Sequence, residues 1–212
     1  GAAASAVALA TARRNGALAA LSDESYASMS AGEAIAEIRA GRTSVSEYID
    51  SLLARSDRLS HLNAFITQDK GVIRAAATAI DARLAAGQDP GALSGVPFCA
   101  KDNIDSADMR TTGGTPGLAD WRPSTNAPVL QSLLEQGGIL IGKANMHELA
   151  FGITNNNAGF GAAHNPYNAA LIPGGSSGGT GVAVAAGLAP AGLGSDTGGS
   201  VRIPAALCGC VG

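Results

Sequence analysis

Residues 173–204 read PGGSSGGTGVAVAAGLAPAGLGSDTGGSVRIP. Two Gly-Gly-Ser turns, ending at Ser176 and Ser200, flank a segment rich in alanine and valine. Glycine reaches backbone angles that other residues avoid, and it lets a substrate come close to the main chain. A flexible glycine-serine linker is the alternative, but a linker has no use for apolar residues such as Val182 and Leu188. The stretch therefore predicts a tightly packed loop system. There, a hydroxyl group beside bare backbone N–H groups presents a nucleophile next to an oxyanion site.

The composition restricts the classes of function. The 212 residues are 46% hydrophobic, with 14 Lys+Arg against 17 Asp+Glu and 4% aromatic residues. One large domain without a basic stripe or base-stacking platform is expected, and so no nucleic-acid partner. No apolar run reaches the roughly 18 residues of a membrane span. Cys99, Cys208 and Cys210 lack C-x-x-C spacing and are interpreted as buried apolar residues, which fits a reducing, cytoplasmic compartment.

Further outward, the pattern alternates between helices and strands. Residues 1–29 are rich in alanine and serine and are expected to be a poorly ordered arm, followed by a domain over residues 30–212. Ser-x-x-Glu at Ser30 and Ser44 predicts two helix starts. Further helices are predicted at residues 72–84, from about 126, at 182–186 and from 204; strands at 63–67, 96–100, 139–141 and near 191–193; and one or two helical turns at 146–151. Such alternation, with polar residues at strand ends, is typical of α/β architecture.

Three short motifs do not fit their usual chemistry. Residues 174–178 match G-x-S-x-G, but no strand precedes them and all three histidines of the chain come earlier, unlike the α/β-hydrolase order. Residues 137–143 resemble a phosphate-binding loop, but Ala144 stands where a Ser or Thr holds magnesium. His147-Glu148 lacks the second histidine of a zinc motif, so no metal site is predicted.

Lys101 is the candidate base. It follows an apolar strand, so its ammonium group is expected to be buried. Burial lowers a lysine pKa, and a decrease of about three units corresponds to roughly 4 kcal/mol. A neutral lysine can then accept a proton from a serine, as in Ser-Lys enzymes. A salt bridge to Asp102 or another acid is the alternative, and the residues alone leave both open.

Four longer motifs carry a resemblance to a known family. GVPFCAKDNID (95–105), GKANMHELAFG (142–152), PGGSSGGTGVAVAAG (173–187) and GLGSDTGGSVRIPAALCGCVG (192–212) together resemble the amidase signature family. The match runs from about residue 30 to residue 212, which corresponds to the N-terminal half of such proteins. It implies an α/β fold with a mixed central sheet covered by helices, truncated after the signature block.

The resemblance also assigns site residues. It implies a catalytic triad of Lys101, Ser176 and Ser200, in which the Gly-Ser peptide bond at Ser176 is cis. Four backbone N–H groups are implied to hold the oxyanion, those of Thr197, Gly198, Gly199 and Ser200. Supporting roles fall to Ser177 through a hydrogen bond, to Asp196 through backbone contacts that orient its loop, and to Arg202, which either holds the turns or faces the substrate.

The implied reaction is amide hydrolysis through an acyl-serine intermediate, without a metal or an organic cofactor. MHELAFG and GLADW (117–121) resemble indoleacetamide and mandelamide hydrolases more than the A-type chain of tRNA amidotransferases, so an aryl-acetamide-like primary amide is the expected substrate. Two alternatives are a non-catalytic fragment and an amidotransferase A-type subunit that acts in a complex. A homodimer, and a missing C-terminal half supplied as a separate chain, are also left open.

Overall fold

The computed structural model describes residues 21–212. Within this range the α-helices are α1 (Asp23–Ser28), α2 (Ala31–Arg39), α3 (Val45–Arg58), α4 (Lys70–Ala85), α5 (Pro128–Glu135), α6 (Gly178–Ala185) and α7 (Arg202–Cys208). The strands are β1 (Phe65–Thr67), β2 (Pro97–Lys101), β3 (Ile139–Ala144) and β4 (Gly192–Leu193). Short 3-10 turns lie at Ser60–Leu62, Pro116–Leu118 and Glu148–Ala150.

The strands form one mixed sheet in the order β1-β3-β2-β4. β2 runs parallel to both β3 and β4, whereas β1 is antiparallel to β3. Every residue of β2 and β3 is buried, as expected for central parallel strands that are covered on both faces. The predicted α/β fold with a mixed central sheet is confirmed.

The two predicted capping boxes begin helices as expected. The Ser30 and Ser44 side chains each accept a hydrogen bond from the backbone N–H of the glutamate three residues later, and that glutamate reaches back to the cap. α3 then buries Tyr48, Ile49, Leu52 and Leu53, each 1% exposed or less. It packs beside α4, which in turn packs against β3.

The described part of the predicted arm, residues 21–29, contains α1, which packs against the domain. Tyr26 of α1 is buried and stacks on Tyr48 with ring centroids 5.5 Å apart, while its hydroxyl lies 2.8 Å from Thr43 Oγ1. These contacts attach α1 to the domain, so the folded part begins before residue 30. Residues 1–20 lie outside the described residues.

Residues 146–151 do not form the one or two helical turns that their composition predicted. Leu149 and Ala150 have left-handed backbone angles, with φ values of 52° and 57°, and the segment contains only a single 3-10 turn. Its backbone is held by partners elsewhere in the chain: Leu149 N–H donates to Gly113 O (2.8 Å) and His147 N–H to Ser176 O (3.1 Å). Tertiary hydrogen bonds therefore override the local helical preference.

Candidate active site

Lys101 is the last residue of β2, and the fold buries it completely. Its Nζ lies 2.7 Å from Ser176 Oγ, 2.8 Å from Ser195 Oγ and 3.2 Å from the Ser195 carbonyl oxygen. Within residues 21–212 no carboxylate forms an ion pair with Lys101. Asp102, the acid that the sequence offered as a salt-bridge partner, pairs with Lys143 instead.

The absence of a counter-ion changes the chemistry of this amine. Burial lowers the pKa of Lys101 from 10.5 to about 8, against a smaller opposing effect of the Asp196 charge. The uncharged fraction of this amine near neutral pH is therefore much larger than that of an ordinary lysine, and it becomes the major form above about pH 8. A neutral amine whose hydrogen-bond partners are hydroxyl groups can accept a proton from one of them.

The first Gly-Gly-Ser turn brings Ser176 to Lys101. Ser176 is 0% exposed, and the peptide bond Gly175–Ser176 is cis, as the resemblance implied. A Cβ atom on Gly175 would lie 2.9 Å from Asn155 N and 3.0 Å from Ile153 C, so only glycine fits against this backbone. The turn is thus packed tightly enough to hold one hydroxyl group against a buried amine.

The second turn is held by one carboxylate. Asp196 Oδ1 accepts from Gly199 N–H (2.7 Å), while Oδ2 accepts from Val201 N–H (3.0 Å) and Arg202 N–H (3.3 Å). The Arg202 guanidinium grips both oxygens of Asp196 at 2.9 and 3.1 Å. The Arg202 hydrogen bond, together with those from the Val201 and Gly199 N–H groups, holds the pKa of Asp196 far below its usual range. These contacts orient the loop through Asp196 and hold the turn through Arg202. Of the two roles implied for Arg202, the described contacts favour the one in which it holds the turn.

The four implied oxyanion donors are not equivalent. Gly199 N–H already donates to Asp196. In the described part of the chain, the backbone N–H groups of Thr197, Gly198 and Ser200 have no hydrogen-bond acceptor. Thr197 and Gly198 are exposed and Ser200 is half-buried. Of the four implied donors, Gly199 N–H is therefore the one that already has an acceptor within the described residues.

The main chain of Ser200 is hydrogen-bonded to the first turn. Ser177 N–H donates to the Ser200 carbonyl oxygen at 3.0 Å, and Ser177 Oγ donates to the Ser195 carbonyl oxygen at 3.3 Å. Ser177 therefore joins the two turns through hydrogen bonds. Over residues 21–212 the Ser200 hydroxyl itself makes no hydrogen bond, so the structure links Lys101 to Ser176 but not Ser176 to Ser200.

Sequence reasoning missed Ser195. Its hydroxyl lies within hydrogen-bond distance of Lys101 Nζ and accepts from Asn103 Nδ2 at 3.0 Å. It is the residue before Asp196 in the Gly-Ser-Asp-Thr-Gly-Gly-Ser motif, so its place in a functional turn was the one available signal.

Among the described residues, no group of three or more His, Cys, Asp or Glu side chains is arranged to hold a metal ion. None of the helices in that part of the chain has the length and apolar character of a membrane span.

Comparison with known proteins identifies the family of this chain. The model of the family described as Amidase matches residues 47–212. The chain belongs to the amidase signature family. The resemblance drawn from four sequence motifs is confirmed.

Family members of known name align at similar levels. The chain is 44% identical over 183 residues to indoleacetamide hydrolase of Allorhizobium ampelinum, covering 86% of this chain and 39% of that protein. It is 44% identical over 185 residues to mandelamide hydrolase of Pseudomonas putida (85% and 36%). It is 42% identical over 184 residues to the A-type subunit of the glutamyl-tRNA(Gln) amidotransferase of Gloeobacter violaceus (86% and 38%). This member of the amidase signature family therefore spans about two fifths of the length of these relatives.

The fold agrees with solved structures of family members. The native peptide amidase of Stenotrophomonas maltophilia superposes with a TM-score of 0.82 at 33% identity, covering 86% of this chain and 39% of that one. A structure described as a vestigial protein complex that reveals the origins of an s-triazine catabolic enzyme gives 0.82 at 39% identity, covering 85% and 40%.

Proposed function

We propose that this chain carries the catalytic centre of an amidase that hydrolyses a carboxylic amide through an acyl-Ser200 intermediate. The observation that carries the proposal is the 2.7 Å contact between Lys101 Nζ and Ser176 Oγ, in a buried site where Lys101 lacks a carboxylate partner. An ammonium group with a counter-ion stays protonated, whereas an amine that touches only hydroxyl and carbonyl groups is free to act as a base.

Acylation follows from the order of the three side chains. Ser200 Oγ attacks the amide carbonyl carbon, its proton passes to Ser176 Oγ, and the Ser176 proton passes to Lys101 Nζ. The relay requires the Ser200 hydroxyl to come within hydrogen-bond distance of Ser176 when substrate binds. Catalytic hydrogen bonds are often long in ligand-free enzymes and shorten in the complex.

The oxygen that becomes negatively charged is placed at the second turn. Backbone N–H groups of Thr197, Gly198 and Ser200 would donate to it, which stabilises the tetrahedral intermediate more than the substrate. The proton on Lys101 returns through Ser176 to the nitrogen of the leaving group, so the C–N bond breaks and ammonia or an amine departs. Water then attacks the Ser200 ester with Lys101 again as base, releasing the acid and restoring the serine.

We propose an aryl-acetamide-like primary amide as substrate. Two relatives at 44% identity are indoleacetamide hydrolase and mandelamide hydrolase, whose names contain amides of this kind. Leu149 and Phe151 are 63% and 91% exposed, on the segment whose His147 N–H binds the Ser176 carbonyl oxygen. An aromatic substrate would cover such apolar side chains and remove them from water.

A second candidate is the hydrolysis of glutamine by an amidotransferase A-type subunit in a complex. It is supported by the 42% identity to the A-type subunit of a glutamyl-tRNA(Gln) amidotransferase. Glutamine carries a charged α-amino acid group, which exposed leucine and phenylalanine side chains do not complement. The two candidates share the acyl-serine chemistry and differ in what surrounds it.

Ammonia release from phenylacetamide and from glutamine distinguishes these candidates. Intact mass first establishes which polypeptide is assayed, since residues 1–212 correspond to 20.9 kDa. The chain is assayed alone and mixed with the separately produced remainder of the mandelamide hydrolase of Pseudomonas putida. Release from phenylacetamide that requires Ser200 supports the first candidate, and release from glutamine alone supports the second. No release in either preparation, together with no covalent adduct of Ser200 with phenylmethanesulfonyl fluoride, would refute an acyl-serine site in this chain.

A further inference from the structure

A second lysine lies fully buried one strand away from Lys101. Lys143, in β3, is 0% exposed, and β2 and β3 are paired so that Ala100 faces Lys143 and Lys101 faces Ala144. Its ammonium group donates to Thr111 Oγ1 at 2.6 Å and to the Arg110 carbonyl oxygen at 3.2 Å, and it forms an ion pair with Asp102 Oδ1 at 3.0 Å. The proposed mechanism does not use this buried cation.

Asp102 is buried as completely as its partner. Its Oδ2 accepts from Thr112 N–H at 2.9 Å and from the Thr112 hydroxyl, and its own N–H donates to the Ala144 carbonyl oxygen at 3.1 Å. Asp102 follows Lys101 directly in the chain. Successive side chains at the end of a strand point to opposite sides, and here one contacts the serine turns while the other contacts Lys143 and Thr112.

The ionised groups around the site are therefore divided into pairs that exclude Lys101. Asp196, on the loop after β4, is neutralised by Arg202, and Asp102, at the end of β2, is neutralised by Lys143. Burial lowers the pKa of Lys143, and the charges of Asp102 and Asp105 oppose that decrease. Asp102 is the next residue after Lys101 in the chain, and the Asp196 charge acts on Lys101, but each of these carboxylates forms its ion pair with another cation.

We propose that Lys143 is a positioning residue which, by occupying the buried Asp102 carboxylate, leaves Lys101 without a counter-ion and so able to lose its proton. The inference rests on the proposed role of Lys101 as the base. It assigns opposite tasks to two lysines on neighbouring strands: Lys143 stays charged, and Lys101 becomes neutral.

The charge argument predicts the effect of removing each partner. Without Lys143, Asp102 is a buried carboxylate that has lost its ion-pair partner, and Lys101 is the next residue before it in the chain. A negative charge nearby favours the ammonium form, so the pKa of Lys101 rises. Without Asp102, Lys143 is a buried ammonium that has lost its counter-ion, so the pKa of Lys143 falls. When both are removed, neither charge of this pair is left to act on Lys101.

The protonation of each lysine can be measured directly, because the sequence contains only three lysines, Lys70, Lys101 and Lys143. Protein labelled with ¹³C at the lysine ε-carbon gives three signals whose chemical shifts follow protonation as the pH is raised. The variants Lys70→Met, Lys101→Met and Lys143→Met assign them. Lys70 pairs with Asp57 on the surface and is 37% exposed, so Lys70→Met is also the matched control: it removes a lysine from a Lys-Asp pair away from the site.

In the wild-type protein we expect Lys101 to titrate below Lys143. Lys143→Met should raise the Lys101 midpoint by about 1 pH unit, the lower end of the range for a nearby opposite charge. Lys143→Met combined with Asp102→Asn should return that midpoint to the wild-type value, and Lys70→Met should leave it unchanged. A role of Lys143 in packing alone would leave the double variant as perturbed as the single one.

Three results would overturn the proposal. They are a Lys101 midpoint unmoved by Lys143→Met, a double variant that does not restore it, and a Lys143 signal that titrates below that of Lys101. If Lys143→Met does not fold, Asp102→Asn still decides, because an unchanged Lys143 midpoint in that variant would contradict the ion pair. The lysine signals can be recorded whether or not the protein hydrolyses an amide. Ammonia release without these shifts therefore refutes this inference, and these shifts without ammonia release refute only the proposed amidase activity.

Discussion

The two Gly-Gly-Ser turns have nearly the same sequence but opposite surroundings. The first is buried, and a Cβ atom added to Gly175 would meet the backbone of the neighbouring segment at 2.9 Å. The second is open on one side: a Cβ atom added to Gly198 would meet nothing within 4 Å, whereas one added to the buried Gly199 would meet the Ile203 side chain at 2.9 Å. Ser176 in the first is 0% exposed, whereas Ser200 in the second is half-buried.

The difference separates two tasks of the proposed reaction. A group that relays a proton must keep one geometry relative to the base, and close packing provides it. A group that attacks a substrate must be reachable, so its turn cannot be held by packing from all sides. The second turn is held by the Asp196 carboxylate instead, which leaves the outer face of Thr197 and Gly198 free.

The largest expected effect concerns the open turn. Ser200→Ala removes the attacking oxygen, so kcat for amide hydrolysis should fall by about 10⁴-fold or more, as for loss of a serine nucleophile elsewhere. Mass spectrometry should also show no adduct with phenylmethanesulfonyl fluoride. The melting temperature should stay within a few degrees of wild type, because the Ser200 side chain makes no hydrogen bond among the described residues. Near-normal turnover would show that the nucleophile is another residue.

In the closed turn, Ser176→Ala interrupts the proton relay. A positioned acid or base contributes about 10²–10⁴-fold, so kcat should fall by that amount, measured as ammonia release under saturating substrate. Ser177→Ala is the matched control, since Ser177 Oγ makes only long hydrogen bonds of 3.3 and 3.4 Å to the Ser195 backbone. Equal losses in the two variants would remove the distinction between a relay and a supporting hydroxyl.

The buried base makes the reaction depend on pH. Only neutral Lys101 accepts a proton, and its pKa is lowered to about 8. As the pH falls below that value, kcat/KM should therefore decrease about tenfold per unit, and it should level off above it. Steady-state rates on both sides of that pKa test this. A profile that is flat through this range, in an enzyme that retains the Ser200 adduct, would mean that Lys101 is not the base.

The smallest expected effect is on stability, and it tests the difference in packing between the two turns. Gly179→Ala, just after the first turn, would place a methyl group 2.5 Å from the Ala64 carbonyl oxygen and against the Asn145 backbone. The free energy of unfolding should decrease by about 1–3 kcal/mol, which lowers the melting temperature by about 2–4 °C per kcal/mol. Gly198→Ala should change it by less than about 0.5 kcal/mol. Thermal unfolding followed by circular dichroism compares the two, and equal losses would contradict the assignment of one closed and one open turn.

Much of the site could be predicted because its elements are coded locally. Each local pattern predicts a structure within a few residues: a capping box predicts a helix start, an apolar run before Lys101 predicts a strand, and paired glycines predict a turn. These structures are present. The segment after Met146 failed for the opposite reason. Its composition favours a helix, but hydrogen bonds to Gly113 and Ser176 place Leu149 and Ala150 in the left-handed region. Ser195 was missed because a serine in a glycine-rich turn carries no local sign of which amine it will contact.

By itself, the sequence determined the strands, the helix starts and the family, because hydrophobic periodicity, caps and signature motifs are read along the chain. It also placed Lys101 at the end of a buried strand. Only the tertiary structure decided which of two buried lysines is paired with Asp102 and which contacts Ser176. The physical reason is that burial acts on both amines alike, whereas the position of a carboxylate a few ångströms away in space determines which amine keeps its proton.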